Sequence, residues 1–211
     1  MNRPTTISFA IPVCNELDEI KRLLEFLFKY KRSVDEVCVL YDSVNGTIEV
    51  EEYLNSIERK LDYFYVKGEF KNHFADWKNM LNQLCHGDYI FQLDADELIT
   101  IDLLNSLPEI LESNTNIDLI YVPRINTVNG LTQEYINKWG WRVDSKGRVN
   151  FPDYQHRIYK NNDVIQWKNK VHEVITGHTN YSMLPTDDIY CIIHTKTLER
   201  QVKQNDKYDR I

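Results

Sequence analysis

Asp88-Tyr89-Ile90-Phe91-Gln92-Leu93-Asp94-Ala95-Asp96-Glu97 is an apolar run that stops abruptly in three carboxylates. Short, bounded and rich in aromatic and β-branched residues, it reads as a buried strand whose carboxyl end opens into a loop. In extended backbone, side chains two apart share a face, so Asp94 and Asp96 are expected on one side, roughly 6.6 Å apart at Cα, with Ala95 on the other. Two carboxylates placed this way form a grip for a divalent cation, Mn²⁺ or Mg²⁺, that completes its shell with water and the phosphate oxygens of a ligand. The competing reading is an acidic turn that merely keeps a strand end soluble. It leaves three abutting acids with nothing positive between them.

Working outward, strands alternate with helices. Residues 7–13 read as a first strand, stopped by Pro12, which cannot donate to a sheet ladder. Asn15 precedes an amphipathic helix with Ile20, Leu23, Leu24, Leu27 and Tyr30 at helical spacing and Glu16, Asp18 and Glu19 in its first turn, where acids suit the dipole. A second strand, 36–41, closes at the turn signal Asn45-Gly46; a helix over about 47–61, a third strand at 63–66 and a helix over 74–84 follow. This alternation implies βαβ units and an α/β fold with a mainly parallel sheet, in which ligands bind at the carboxyl ends of strands, where Asp42 and Asp94 fall. Beyond Leu98 the pattern predicts a helix from 101 to about 112 interrupted at Pro108, a strand at 117–124, an irregular stretch 125–150, and short strands at 154–160 and 164–167. A final strand at 188–194 and a polar helix from 198 to 208 complete it.

Composition fits one soluble domain: 42% hydrophobic and 27% charged residues leave no disordered tract. No apolar run approaches the ~20 residues that span a bilayer, and the first residues enter directly into a strand, so a cytoplasmic protein is expected. Cys14, Cys38, Cys85 and Cys191 are scattered without a C-x-x-C pair, which suits free thiols. The net charge of −7 is uneven. Residues 1–123 carry 11 Lys and Arg against 22 Asp and Glu, residues 124–170 carry 9 against 4, and residues 171–211 carry 5 against 6. Overall acidity argues against non-specific nucleic-acid binding. The basic middle segment reads either as a face for an anionic partner or as a solvated loop region.

The chain resembles the family 2 glycosyltransferases with a GT-A fold, and within them a small branch marked by Asp-Ala-Asp-Glu and a later Val-His-Glu. The resemblance rests on Ile11-Pro12-Val13-Cys14-Asn15-Glu16, Tyr41-Asp42-Ser43, Phe74-Ala75-Asp76-Trp77-Lys78-Asn79, Leu93-Asp94-Ala95-Asp96-Glu97, His156-Arg157-Ile158-Tyr159 and Val171-His172-Glu173, in that order along the chain. It implies a single GT-A-type domain over 1–211: a nucleotide-sugar and metal-binding half (1–123), an acceptor-side half (124–195) and a terminal helix (196–211). It also implies an inverting transferase that moves a sugar from a nucleotide-sugar donor, a UDP-sugar first among them, to a hydroxyl of a glycan, protein or modified nucleic acid. Pro12, Asn15, Glu16 and Asp42 are then expected at the base and ribose, Lys78 and Asn79 at the donor, and Asp94 and Asp96 at the ribose and the metal-bound diphosphate.

Each assignment has a plainer counterpart. Asp42-Ser43 before Asn45-Gly46 also reads as an ordinary turn. Lys78 stands where the family often has Arg and lacks its bidentate fork. Glu173 is the first choice for the base that takes the acceptor proton, with Asp153 in reserve. His194, at the end of an apolar strand, is either a third metal ligand, better suited to Mn²⁺ than Mg²⁺, or a satisfied edge histidine. Trp139 and Trp141 read as an apolar wall for an acceptor or as core. A sugar-nucleotide nucleotidyltransferase and a catalytically silent nucleotide- or glycan-binding module are the competing functions.

Overall fold

The computed structural model describes residues 3–58 and 63–208. Strands β1 (Ile7–Val13), β2 (Glu36–Asp42), β3 (Phe64–Gly68) and β4 (Tyr89–Gln92) lie parallel in the order β3-β2-β1-β4, with helices α1 (Leu17–Tyr30), α2 (Ile48–Glu58) and α3 (Phe74–Asn82) between them in sequence. The side-chain period of two assigns each face. Ile7, Phe9, Ile11 and Val13 join Ile20, Leu23, Leu24 and Leu27 of α1 in one apolar cluster, while Ala10, Cys38 and Leu40 join Trp77 and Leu81 of α3 in another. Tyr30, expected on the α1 stripe, lies outside the core at 38% exposure and packs on Phe26, 5.1 Å between ring centres.

Pro12 does not stop β1. The Ala10 carbonyl accepts from the Leu93 amide at 3.0 Å, and pairing with β4 ends at Ala10 opposite Gln92. Pro12, two residues on, faces the same side past the end of β4, where no ladder needs its missing N–H.

The second half adds β5 (Glu97–Ile99), α4 (Ile101–Ser113), β6 (Leu119–Asn129), α5 (Gln133–Trp139), β7 (Val149–Lys160), β8 (Gln166–Lys168), β9 (Val174–Thr176), β10 (Tyr181–Met183), β11 (Ile192–Thr197) and α6 (Leu198–Tyr208). Strand β7 runs antiparallel between β4 and β6, and β11 lies parallel to β6 and antiparallel to β5, so the sheet is mixed. Among the described residues, nine strands share this sheet, with β10 beside β6, and β8 and β9 form a separate pair.

The stretch expected to be irregular is largely regular: β6 continues to Asn129, α5 follows, and β7 begins at Val149. Its polar sequence hides this because β6 leaves the core after Pro123 to form the wall of a cleft. Pro108 sits inside α4 without interrupting it, since Leu103, Leu104, Leu107 and Leu111 bury one continuous stripe across the lost hydrogen bond. The final strand starts later than expected, after a 3-10 turn at Asp188–Tyr190, and runs on to Thr197. The end of the second expected helix, at residue 61, lies outside the described residues. Among the described residues no helix is long and apolar enough to cross a membrane, and all four cysteines are free thiols.

Candidate active site

A cleft of about 960 Å³ opens at the carboxyl ends of β1, β2 and β4 and extends over β6, β7 and β11. The residues singled out from the sequence as site candidates line it, except Asn79 and Trp139. The Asn79 amide instead donates to the Trp167 carbonyl and accepts from the Trp167 amide, both at 2.9 Å, and so pins β8 to α3.

The floor of the cleft is a chain of alternating charges. Arg157 Nη2 lies 2.8 Å from Asp94 Oδ2 and 2.6 Å from Glu97 Oε1, and Arg124 Nη1 reaches the same Glu97 oxygen at 2.9 Å. Arg124 continues to Asp153 Oδ2 through Nη2 at 2.8 Å and Nε at 3.0 Å. Glu97 is fully buried and Arg157 nearly so; its second carboxylate oxygen accepts from the Asp94 amide at 3.0 Å. Burial alone would raise the Asp94 carboxyl, but Arg157 and Lys78 hold it well below the usual range. The cations that relieve Asp94 and Glu97 are Arg157 and Arg124, both from the basic middle segment, whereas Asp96 is met by Lys196 and Arg200 from the C-terminal part of the chain.

This arrangement changes the role of Asp94. Beyond β4 the backbone turns, and Asp94 directs Oδ2 to Arg157 and Oδ1 to the Gln92 amide at 2.9 Å. Asp94 is thereby engaged by Gln92 and Arg157. Asp96 finds a different neighbour. Pairing of β11 with β5 and β6 sets His194 opposite Glu97 and Asn126, which brings His194 Nε2 within 3.4 Å of Asp96 Oδ2.

Asn126 fixes the imidazole. Its Nδ2 donates to Asp153 at 2.7 Å, so its Oδ1 is the face that accepts from His194 Nδ1, also at 2.7 Å. This contact turns Nε2 towards the Asp96 carboxylate. Two electron-rich atoms at that spacing suit neighbouring ligands on one cation at ~2.1 Å from each. Lys196 Nζ and Arg200 Nη2 approach the same Asp96 oxygen at 3.5 and 3.8 Å. Burial would raise the Asp96 carboxyl, and His194 with Lys196 keeps it below the usual range. Among the described residues no three His, Cys, Asp or Glu side chains converge as a cage, so a cation here takes its other ligands from elsewhere.

At the carboxyl end of β2, Asp42 is buried and its Oδ1 accepts from the amides of Val44 and Asn45 at 3.1 and 3.2 Å. It shapes the turn and lines the cleft at once. Glu16 does not cap α1 through its side chain; Oε2 accepts from the amides of Cys14 and Asn15 at 2.9 and 3.0 Å, and Oε1 lies 3.4 Å from Arg200.

Glu173, also lining the cleft, follows a loop with left-handed backbone at Asn169 and His172, tethered by the Phe74 amide, which donates to the Lys170 carbonyl at 3.0 Å. Lys78 Nζ stands 3.1 Å from Glu173 and 4.3 Å from the centre of the Trp167 ring. Asp153, the reserve base, is tied by four hydrogen bonds from Arg124, Asn126 and Gln155. Burial would raise its carboxyl, yet Arg124 and Asn126 keep it low, which makes it a poor proton acceptor.

Five of the nine cations in the basic middle segment, Arg124, Lys146, Arg148, Arg157 and Lys160, are in ion pairs with acids of this chain. Trp141 lines the cleft, 4.5 Å from Trp139 between ring centres, and neither belongs to an apolar cluster of the core.

Residues 8–183 match the sequence profile of glycosyl transferase family 2. The chain belongs to that family. An uncharacterized glycosyltransferase of Haemophilus influenzae is 25% identical over 117 residues, which are 56% of this chain and 38% of that protein. The crystal structure of S. aureus TarS 1–349 superposes with a TM-score of 0.62 at 16% identity, covering 92% of this chain and 60% of that one. Its complex with UDP-GlcNAc gives 0.64, covering 92% and 59%. These likenesses establish the GT-A fold for this family 2 chain, which spans well under two thirds of each relative.

Proposed function

We propose that this family 2 chain is an inverting glycosyltransferase that passes a sugar from a UDP-sugar to a hydroxyl acceptor, with a divalent cation at Asp96 and His194. The observation that carries the reading is the Asp96–His194 pair, oriented by Asn126 in a cleft that Glu173 also lines. That TarS has been crystallised with UDP and with UDP-GlcNAc supports the choice of nucleotide. Pro12, Asn15 and Asp42 line the base and ribose end, and Asp94, held by Arg157, presents its remaining lone pairs to the ribose.

A bound Mn²⁺ or Mg²⁺ supplies charge neutralisation to the departing diphosphate, with imidazole favouring Mn²⁺. Lys196 and Arg200 add positive charge at the same place. Glu173, positioned by Lys78, takes the proton from the acceptor oxygen as it attacks the anomeric carbon from the face opposite the leaving group. A hydroxyl acceptor that is anionic draws on only part of the basic segment, because most of its cations already have acidic partners.

Thermal unfolding with UDP, GDP, CDP and ADP, each with and without Mn²⁺, tests the site. A Mn²⁺-dependent stabilisation by UDP, together with slow hydrolysis of one UDP-sugar seen by mass spectrometry, is expected. No stabilisation by any nucleotide removes the reading.

A further inference from the structure

Glu173 stands on a part of the chain that the main sheet does not hold. It directly precedes β9, and among the described residues β8 and β9 pair only with each other, Trp167 opposite Ile175 and Lys168 opposite Val174. A lone two-stranded hairpin is marginal in water, so the place of Glu173 at the cleft is set by what the hairpin leans on. That support is α3. Ile165, Trp167 and Ile175 share an apolar cluster with Ala75, Trp77 and Leu81, but apolar burial has no direction and fixes no register.

Register comes from Asn79. Its Oδ1 accepts from the Trp167 amide and its Nδ2 donates to the Trp167 carbonyl, both at 2.9 Å, so one side chain meets both peptide groups of that residue as a neighbouring strand would. Two further ties keep the hairpin from turning about this point. Trp167 Nε1 donates to the Tyr159 hydroxyl at 3.0 Å, which donates to Asn82 Oδ1 at 2.8 Å. The Phe74 amide, which has no acceptor within its own helix turn, donates to the Lys170 carbonyl. Lys78, next to Asn79 on α3, sets its Nζ 4.3 Å from the Trp167 ring centre and 3.1 Å from Glu173 Oε1. We propose that Asn79 is a positioning residue for the reaction: by clamping Trp167 it seats the β8–β9 hairpin on α3 and so holds Glu173 beside Lys78 at the cleft, without reaching the donor itself. This rests on Glu173 as the base and specifies how the fold places it.

The test is a double-mutant cycle of Asn79→Ala with Glu173→Gln in the whole chain, beside Asn79→Asp, which keeps an acceptor for the Trp167 amide and loses the donor to its carbonyl. Hydrolysis of UDP-glucose, UDP-galactose and UDP-GlcNAc in Mn²⁺ gives kcat and KM, UDP affinity is measured on every variant, and amide exchange is read over residues 166–176 and over β1 to β4. Asn79→Ala is expected to lower kcat by roughly 10- to 100-fold at unchanged KM and UDP affinity, with Asn79→Asp acting in the same direction. Exchange should quicken over 166–176 and stay as it was over β1 to β4. In the Glu173→Gln background Asn79→Ala should cost nothing more, because the base it places is already gone, whereas a merely structural role would add the two losses. Additive losses, a raised KM in place of a lowered kcat, or unchanged exchange over 166–176 each overturn the assignment. Glu173→Gln as active as wild type, or a wild-type chain that neither binds UDP nor hydrolyses any of the three sugars, sinks the transferase reading and the role of Asn79 with it, so the two failures are told apart.

Discussion

At the scale of single residues, one hydrogen bond sets a ring: Asn126 Oδ1 accepts from His194 Nδ1 and turns Nε2 towards Asp96. Asp96→Ala is expected to abolish transfer and the Mn²⁺-dependent part of UDP stabilisation while leaving the melting temperature of the nucleotide-free protein nearly unchanged. Near wild-type turnover in any metal would refute this. Glu173→Gln keeps the shape of the side chain and removes its basicity, so transfer should fall by roughly 10²-fold or more at unchanged UDP-sugar affinity. Equal losses in affinity and rate would place Glu173 in the donor site.

At the scale of elements, the cleft floor requires β4, β5, β6, β7 and β11 to be in register. Its tightest link is Glu97, fully buried and shared by Arg124 and Arg157. Removing one partner of such a group leaves buried charge unpaired, so Glu97→Gln should destabilise the fold by about 3–5 kcal/mol, read as a lowered urea midpoint. A loss below about 1 kcal/mol, the scale of an exposed pair, would show that the network is solvent-screened. The sequence reading anticipated β1 to β4 and their helices because their apolar residues repeat at periods of two and 3.6. It missed β5, β9, β10 and the far half of β6, which are three residues long or lined with polar side chains that face a cleft rather than a core. That Asp96, Glu173 and His194 meet at the cleft could be anticipated because their motifs are local. The contacts of Arg157, Arg124 and Asn126 could not, since they come from strands that meet only in the folded sheet; the His156-Arg157-Ile158-Tyr159 motif and the excess of nine cations over four acids in residues 124–170 were the traces of the two arginines.

At the scale of the molecule, several carboxyls are more acidic when folded than when unfolded. Asp94, Asp96 and Asp153 lie below the usual range for the reasons given above, and Asp118, hydrogen-bonded by Lys160 and by the amides of Thr179 and Asn180, is held at about 2. A folded value below the unfolded one, ~3.9 for Asp, means that the added stability is complete above about pH 5 and drains away as acid takes the pH through the folded values. Urea midpoints should therefore be level from neutrality to about pH 5 and fall steeply below it, a slope that Asp118→Asn makes shallower; a flat profile down to about pH 3 would contradict these assignments. The place of β11 in the sheet bears on how the protein is made. It lies between β6 and β5, although both are synthesised long before it. Until the ribosome has delivered that strand, the groove between its two neighbours stays open and Asp96 lacks its imidazole. A half-finished chain can thus collapse around β1 to β4 while the cleft still lacks β11 and the histidine it sets beside Asp96, so the cleft is completed late in synthesis.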